Sequence, residues 1–141
     1  MTQAVPFARA AALLGLVGVA LGAFGAHVVA KRVSPALLDI YRTAVLYHLV
    51  HAIAMLLAAT AGIPVRRRHL ACALFAGGIG IFSGSLYLMV ATGARWLGAV
   101  TPVGGIAFLA GWLVLALGLA PWPHSGGDVG RSNTKNKGDM P

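Results

Sequence analysis

Four long apolar stretches, separated by short polar segments, dominate the pattern along this chain. They are bounded by Arg9 and His27, by Arg42 and Arg66, by Arg68 and Arg95, and by Arg95 and Asp128. Apart from histidines, one thiol and tyrosine phenols, no ionisable side chain lies inside them. Each stretch meets the roughly 17–25 residues that an α-helix needs to cross the hydrocarbon core. The pattern therefore predicts an all-α protein that crosses a membrane four times.

Local signals set the limits of the four helices. The hydroxyls of Ser34 and Thr101 are suited to cap free backbone N–H groups, and Pro35 and Pro102 suit the first helical position. Residues 66–68 are expected to form a basic loop. Short connections favour an antiparallel up-down-up-down bundle. The predicted helices cover about residues 8–29, 35–61, 70–91 and 102–120.

Composition supports a membrane domain over residues 1–122. The chain of 141 residues is 58% hydrophobic and only 10% charged, whereas soluble domains carry about 25% charged residues. The net charge of +8 does not indicate nucleic-acid binding, because the basic residues lie between apolar stretches and form no stripe with aromatics. Residues 123–141 are rich in Gly, Ser, Asn and Lys, which predicts a disordered polar tail.

The basic residues also predict an orientation, because cytoplasmic segments carry an excess of Lys and Arg. One side of the membrane would hold Arg9, Arg66, Arg67, Arg68, Arg131, Lys135 and Lys137, and the other Lys31, Arg32, Arg42 and Arg95. Seven against four predicts that both termini of this multi-pass protein lie in the cytoplasm.

Small residues recur at helical spacing and predict where the helices touch, since small side chains let helix backbones approach in lipid. On the first helix they are Gly15, Gly18, Gly22 and Gly25; on the third Gly77, Gly80 and Gly84; on the fourth Gly104 and Gly111. Seams that face outward would suit a second copy of the chain or another membrane protein.

Polar residues converge on one half of the predicted bundle. Because the helices alternate in direction, the end of the first, the start of the second, the end of the third and the start of the fourth lie on the non-cytoplasmic side. This half holds His27, Tyr41, Arg42, Tyr47, His48, His51, Ser83, Ser85, Tyr87 and Thr101. Polar groups in lipid usually face the protein interior, so a polar pocket is expected. Each residue also has a purely structural explanation, as an interhelical or local hydrogen bond.

The rise of 1.5 Å per residue orders these groups by depth. His27 should lie level with Tyr41 and Arg42, and His51 should lie deeper, with Tyr47 and His48 between. The pocket would then be a shaft that descends from the membrane surface. Such a shaft suits an elongated ligand better than a metal held by three histidines.

The chemistry that these residues would perform stays open. No catalytic triad, zinc motif, phosphate loop or dinucleotide fingerprint is present, which favours a protein that is not an enzyme. The leading hypothesis is a pocket for a small ligand or for a lipid or quinone headgroup. A haem or metal site built on the histidines and a structural or assembly role in a membrane complex are the alternatives. The cofactor is unknown.

Five short segments together resemble a known family. They read LGAFGAH (residues 21–27), YHLVH (47–51), FSGSLY (82–87), TPVGG (101–105) and FLAGW (108–112). Their order and spacing resemble the small membrane family of unknown function that includes bacterial YgdD and human transmembrane protein 256 (domain of unknown function family 423). The resemblance covers about residues 10–120. It implies four transmembrane helices and, in bacteria, the inner membrane, but it implies no catalytic residue.

Overall fold

The architecture is all-α, as predicted. The computed structural model describes residues 5–119, and this part of the chain holds four helices that are long and apolar enough to cross a membrane. They are α1 (Val5–His27), α2 (Pro35–Thr60), α3 (Val65–Thr92) and α4 (Thr101–Gly118). The predicted tail at 123–141 lies outside the described residues, and the domain limit at residue 122 stays a prediction.

Short connections make neighbouring helices antiparallel. Along the α1–α2 contact, Gly25, Gly22 and Gly18 meet Tyr41, Val45 and Leu49 in reverse order. The α1–α2 and α3–α4 connections, which contain the 3₁₀ turns Val29–Lys31 and Arg95–Ala99, lie at one end of the bundle, here named the turn end. The α2–α3 connection lies at the opposite end, here named the arginine end.

The two proline-containing helix starts differ. At α2 the prediction is confirmed, because the Ser34 hydroxyl accepts a hydrogen bond from the Leu37 N–H at 3.4 Å and Pro35 occupies the first turn. At α4 the N-cap is Val100, which has no side-chain cap. Thr101 is already helical, and its hydroxyl lies 3.0 Å from Ser85 on α3. Thr101 therefore joins two helices and does not cap one.

The basic segment is helical, although the sequence predicted a loop there. α3 begins at Val65, so all three arginines lie in its first turns. Positive charge is unfavourable at a helix N-terminus. Arg68 compensates by donating to the carbonyls of Ala61 and Ile63 just beyond α2, and Arg67 donates to the Leu117 carbonyl at the end of α4. These arginines thus satisfy carbonyls at the ends of two neighbouring helices.

α2 and α3 form the centre of the bundle, with α1 packed on α2 and α4 packed on α3. Within the most apolar 18-residue segment of each span, 44% of the residues are buried in α2 and 39% in α3, against 17% in α1 and 22% in α4. The main core lies between the middle of the bundle and the arginine end, and includes Met55, Cys72, Phe75, Phe108 and Leu115. A smaller core at the turn end contains Ala44, Leu86 and Met89.

The predicted glycine seams divide into contacts and open faces. An added Cβ would meet Leu49 at Gly18 (2.7 Å), Val45 at Gly22 (3.3 Å), the Tyr41 ring at Gly25, the Phe82 backbone at Gly104 and Phe75 at Gly111 (2.8 Å). At Gly15, Gly77, Gly80 and Gly84 it would meet nothing within 4 Å. On α3 the close approach is one residue away, at Gly78 against the Phe108 ring.

A π-helical turn at Ile79–Ser83 interrupts α3. A π-turn inserts one extra residue into the helical repeat, so the residues after it face another direction than a regular helix would give. The predicted seam assumed regular spacing through this point. The structure instead buries Gly78, Ile79 and Ser83 and leaves Gly77 and Gly80 exposed.

Candidate functional site

Tyr41 joins α1 to α2 at the turn end. Its side chain is buried, and its hydroxyl donates to the Leu21 carbonyl at 2.8 Å. The ring occupies the space that a side chain at Gly25 would need. A carbonyl can accept two hydrogen bonds, so Leu21 can receive this one in addition to its helical bond. Gly25, predicted as a packing residue, and Tyr41, predicted as a site residue, therefore form one contact.

His48 and Tyr87 extend this contact to α3. The Tyr87 hydroxyl lies 3.4 Å from His48 Nδ1, and the rings of Tyr41 and Tyr87 lie 5.3 Å apart. His48 is buried against Gly18 of α1, and its Nε2 makes no hydrogen bond within residues 5–119. We name Tyr41, His48 and Tyr87 the tyrosine cluster. It joins three helices near the turn end.

His51 lies one turn further along α2 but faces α4. Its ring stacks on Phe108 with a centroid distance of 3.5 Å, and its Nε2 lies 3.3 Å from the indole nitrogen of Trp112. Its Nδ1 lies 2.8 Å from the Tyr47 carbonyl. A carbonyl only accepts and an indole N–H only donates, so Nδ1 carries the proton and Nε2 accepts. We name Tyr47, His51, Phe108 and Trp112 the His51 cluster.

The serines of α3 lie at and just after the π-turn. Ser85 donates to the Phe82 carbonyl at 2.9 Å and lies 3.0 Å from the Thr101 hydroxyl. The Thr101 hydroxyl also lies 3.3 Å from the Leu97 carbonyl, so either hydroxyl can donate in this pair while the other donates to its own carbonyl. Ser83 is fully buried, and its hydroxyl has no hydrogen-bond partner within residues 5–119. Ser85 and Thr101 therefore connect α3 to α4 close to the tyrosine cluster.

Three predicted site residues lie at the surface. His27 is exposed at the end of α1. Arg42 is exposed and pairs with Asp39 at 3.3 Å. Tyr47 is 40% exposed, while its ring stacks on Phe82 at a centroid distance of 4.5 Å. The polar residues of α2 thus face three directions, and they do not line a single shaft.

The structure separates the predicted pocket into two clusters, because His48 faces α1 and α3 while His51 faces α4. Phe108 and Trp112 were not among the predicted site residues. Their spacing of four places them one turn apart on one helix face. This aromatic pair was a signal from which they could have been predicted as site residues. Arg32 was also not predicted as a site residue, because the sequence indicated only its effect on orientation. It lines one of the grooves described next.

Open grooves lie beside both clusters. One of about 300 Å³ opens beside the tyrosine cluster, with Arg32 as its one charged residue. It is lined by Phe24, Val28, Val29, Arg32, Val33, Tyr41, Tyr87, Val90 and Ala91. A second, also about 300 Å³, lies between α2 and α4 and is lined by Leu46, Tyr47, Val50, His51 and Trp112. Two further grooves at the turn end contain Arg42 and Arg95 respectively.

The described residues give little support to a metal centre. Among residues 5–119 no three His, Cys, Asp or Glu side chains lie close enough together to hold a metal ion. Both ring nitrogens of His51 are occupied by Tyr47 and Trp112. A metal would have to break one of these hydrogen bonds to bind there.

Comparison with known proteins gives consistent matches. Residues 21–105 match the family model described as "Protein of unknown function (DUF423)". The UPF0382 inner membrane protein YgdD of Escherichia coli (strain K12) is 39% identical over 113 residues, which cover 77% of this chain and 84% of the relative. The UPF0382 membrane protein YwdK of Bacillus subtilis is 35% identical, covering 75% and 89%. A UPF0382 membrane protein of Staphylococcus epidermidis is 39% identical, covering 75% and 88%. No solved structure matches.

Proposed function

Because the chain belongs to the DUF423 family of membrane proteins, as its sequence motifs predicted, we propose a function from its own site: it binds a lipid-like molecule with an acidic headgroup. The binding site is the groove beside the tyrosine cluster. The observation that carries the proposal is the placement of Arg32, Tyr41 and Tyr87 on one otherwise apolar groove at the turn end.

The walls of the groove suit an amphipathic ligand. An apolar surface for a hydrocarbon chain is offered by Phe24, Val28, Val29 and Val90. Arg32 lies exposed in the α1–α2 connection, and a connection between two membrane-spanning helices is expected at the level of the lipid headgroups. Its guanidinium matches a phosphate or carboxylate through paired N–H groups. The ligand would therefore lie along the helices with its acidic head at Arg32.

The electrostatics of the turn end favour an anion. Within residues 5–119 this end carries Lys31, Arg32, Arg42 and Arg95, and Asp39 is its single acid. Asp39 is already paired with Arg42, so it does not neutralise Arg32. This net positive charge favours an acidic headgroup over a neutral one at the groove.

The orientation belongs to the same proposal. With both termini in the cytoplasm, as the seven basic residues of the N-terminal segment, the arginine end and the tail favour over the four of the turn end, the groove opens on the opposite face. The protein would then sit in the bacterial inner membrane and bind its ligand from the outer leaflet.

Mass spectrometry of the intact protein, released from mild detergent after extraction from native membranes, tests the proposal. We expect the wild-type protein to retain an acidic lipid of defined mass. Arg32→Gln should lower the retained fraction about tenfold if the contact contributes about 1.4 kcal/mol. Lys31→Gln is the matched control, because it removes the same charge from the neighbouring position outside the groove. Equal retention by both variants would contradict the proposal.

A second candidate function is assembly with another membrane helix. Gly77 and Gly80 of α3 face open space in a membrane helix, and such small-residue faces favour helix contact in lipid. With copper phenanthroline added to native membranes as the oxidant, cysteines placed at Gly77 and Gly80 should form disulfides between copies if the partner is the same chain. A cysteine at Leu88, which is also exposed, provides the control.

A further inference from the structure

Tyr47 lies where a polar group is costly. It lies midway along the 26 residues of α2, about 18 Å from either helix end at 1.5 Å per residue. Its side chain is 40% exposed, and its hydroxyl makes no hydrogen bond with any residue from 5 to 119. The hydrocarbon core is about 30 Å thick, and at this depth it offers neither water nor lipid oxygen. The hydroxyl therefore needs an acceptor from outside the described chain.

The groove beside Tyr47 has a distinctive lining. It measures about 300 Å³, with the aromatic residues Tyr47, His51 and Trp112 together with Leu46 and Val50. His51 and Trp112 satisfy each other by a hydrogen bond. The Tyr47 hydroxyl is thus the polar group of this groove that remains free to bind a ligand. The volume of the groove is at the small end of the range for ligand sites.

We propose that this groove binds the ring of a lipid-soluble quinone, with the Tyr47 hydroxyl donating to a ring carbonyl. A quinone carries its acceptor on a flat apolar ring, so it can remain at mid-membrane depth. A phospholipid headgroup is charged and stays at the interface. Aromatic side chains favour stacked or edge contacts with a flat ring, and Trp112 offers such a surface. The inference concerns binding only and is independent of the groove at Arg32.

A second protein helix fits this groove less well. Helices associate in lipid where small residues allow close approach, whereas the flanks here are the branched residues Leu46 and Val50. The open small residues, Gly77 and Gly80, lie on α3 instead. A small flat ligand therefore matches the shape of the groove better than a packed helix does.

Photolabelling of the full chain in lipid nanodiscs tests this site. The probe is an azido-substituted benzoquinone with a decyl tail, the competitor is decylubiquinone, and peptide mass spectrometry maps the adducts. We expect labelling at residues 46–50 and Trp112, suppressed by the competitor. Tyr47→Phe removes only the hydroxyl and should lower competable labelling about threefold to tenfold. Trp112→Phe should also lower it, while Trp96→Phe in the α3–α4 connection should not.

Three outcomes would overturn the proposal. The first is equal competable labelling of Tyr47→Phe and wild type. The second is labelling spread over lipid-facing residues without competition. The third is a dimer crosslinked through Tyr47 that excludes the probe, which would assign the acceptor to a second copy. Thermal aggregation measured in parallel establishes that Tyr47→Phe remains folded, so a loss of labelling reports the lost hydroxyl.

Discussion

The indole N–H of Trp112 on α4 donates to Nε2 of His51 on α2 at 3.3 Å. This hydrogen bond joins two helices whose backbones otherwise have little contact. Together with the Tyr47 carbonyl at Nδ1, it leaves the ring no free nitrogen and fixes a neutral tautomer. A positively charged ring would direct an N–H at the indole N–H. His51 therefore connects α2 to α4 by a hydrogen bond.

The first prediction concerns this tautomer. Nitrogen NMR of ¹⁵N-histidine-labelled protein should give His51 a protonated Nδ1 and an unprotonated, hydrogen-bonded Nε2. In Trp112→Phe the Nε2 resonance should move to the position of a nitrogen without a donor. A His51 signal in which Nε2 carries the proton would contradict the assigned hydrogen bonds.

The second prediction compares two adjacent glycines of α4. Gly104→Ala should destabilise the bundle by about 1–3 kcal/mol, because the new methyl group would overlap the backbone of Phe82, which cannot rotate away. Gly105→Ala should have little effect, since its methyl group would lie 3.9 Å from the Phe82 ring. Unfolding in mixed detergent measures both. Equal stability would mean that α3 and α4 do not approach closely at Phe82.

The third prediction separates the roles of the arginines. Arg68→Gln should cost about 1 kcal/mol, because it leaves the carbonyls of Ala61 and Ile63 without their donor. Arg66 is exposed and makes no side-chain hydrogen bond within residues 5–119, so Arg66→Gln should leave the unfolding midpoint nearly unchanged. Since both variants remove one charge, a difference between them reports the capping contacts. Identical midpoints would contradict the capping role.

The fourth prediction is the orientation. A reporter that is active only in the cytoplasm should work when fused after Pro141, and one that is active only outside the cytoplasm should work when inserted between Gly93 and Ala94. The reason is the excess of basic residues at the arginine end and in the tail. The reverse pattern would move the Arg32 groove to the cytoplasmic face.

The fold could be predicted from the sequence because span length and charge placement leave few alternatives in a membrane. The α1 contacts at Gly18, Gly22 and Gly25 also followed from spacing, whereas Gly15 of the same predicted seam meets no neighbour. The α3 seam did not: the close contact lies at Gly78 and not at Gly77, already before the π-turn, and the π-turn at Ile79–Ser83 then breaks the assumed repeat for the glycines that follow. In lipid, moreover, a glycine can face either a helix or the bilayer, and its identity alone does not distinguish the two.

The candidate site was predicted only in part. The convergence of polar residues on one half of the bundle identified Tyr41, His48 and Tyr87, which the structure brings together. Residue depth alone could not tell that His48 and His51 face different helices, because that depends on which helices are neighbours. His27 was expected level with Tyr41, but Tyr41 reaches further down to the Leu21 carbonyl. Predicting this contact required the direction of the side chain as well as its position along the helix.

The most direct test of lipid binding in the Arg32 groove is photocrosslinking in living membranes. A photoreactive amino acid replaces Val90, which lines the groove, or Leu88, which is exposed on the opposite face of α3. We expect one dominant acidic lipid adduct at Val90, lost with Arg32→Gln, and the mixture of bulk membrane lipids at Leu88. The same lipid mixture at both positions would contradict a specific binding site.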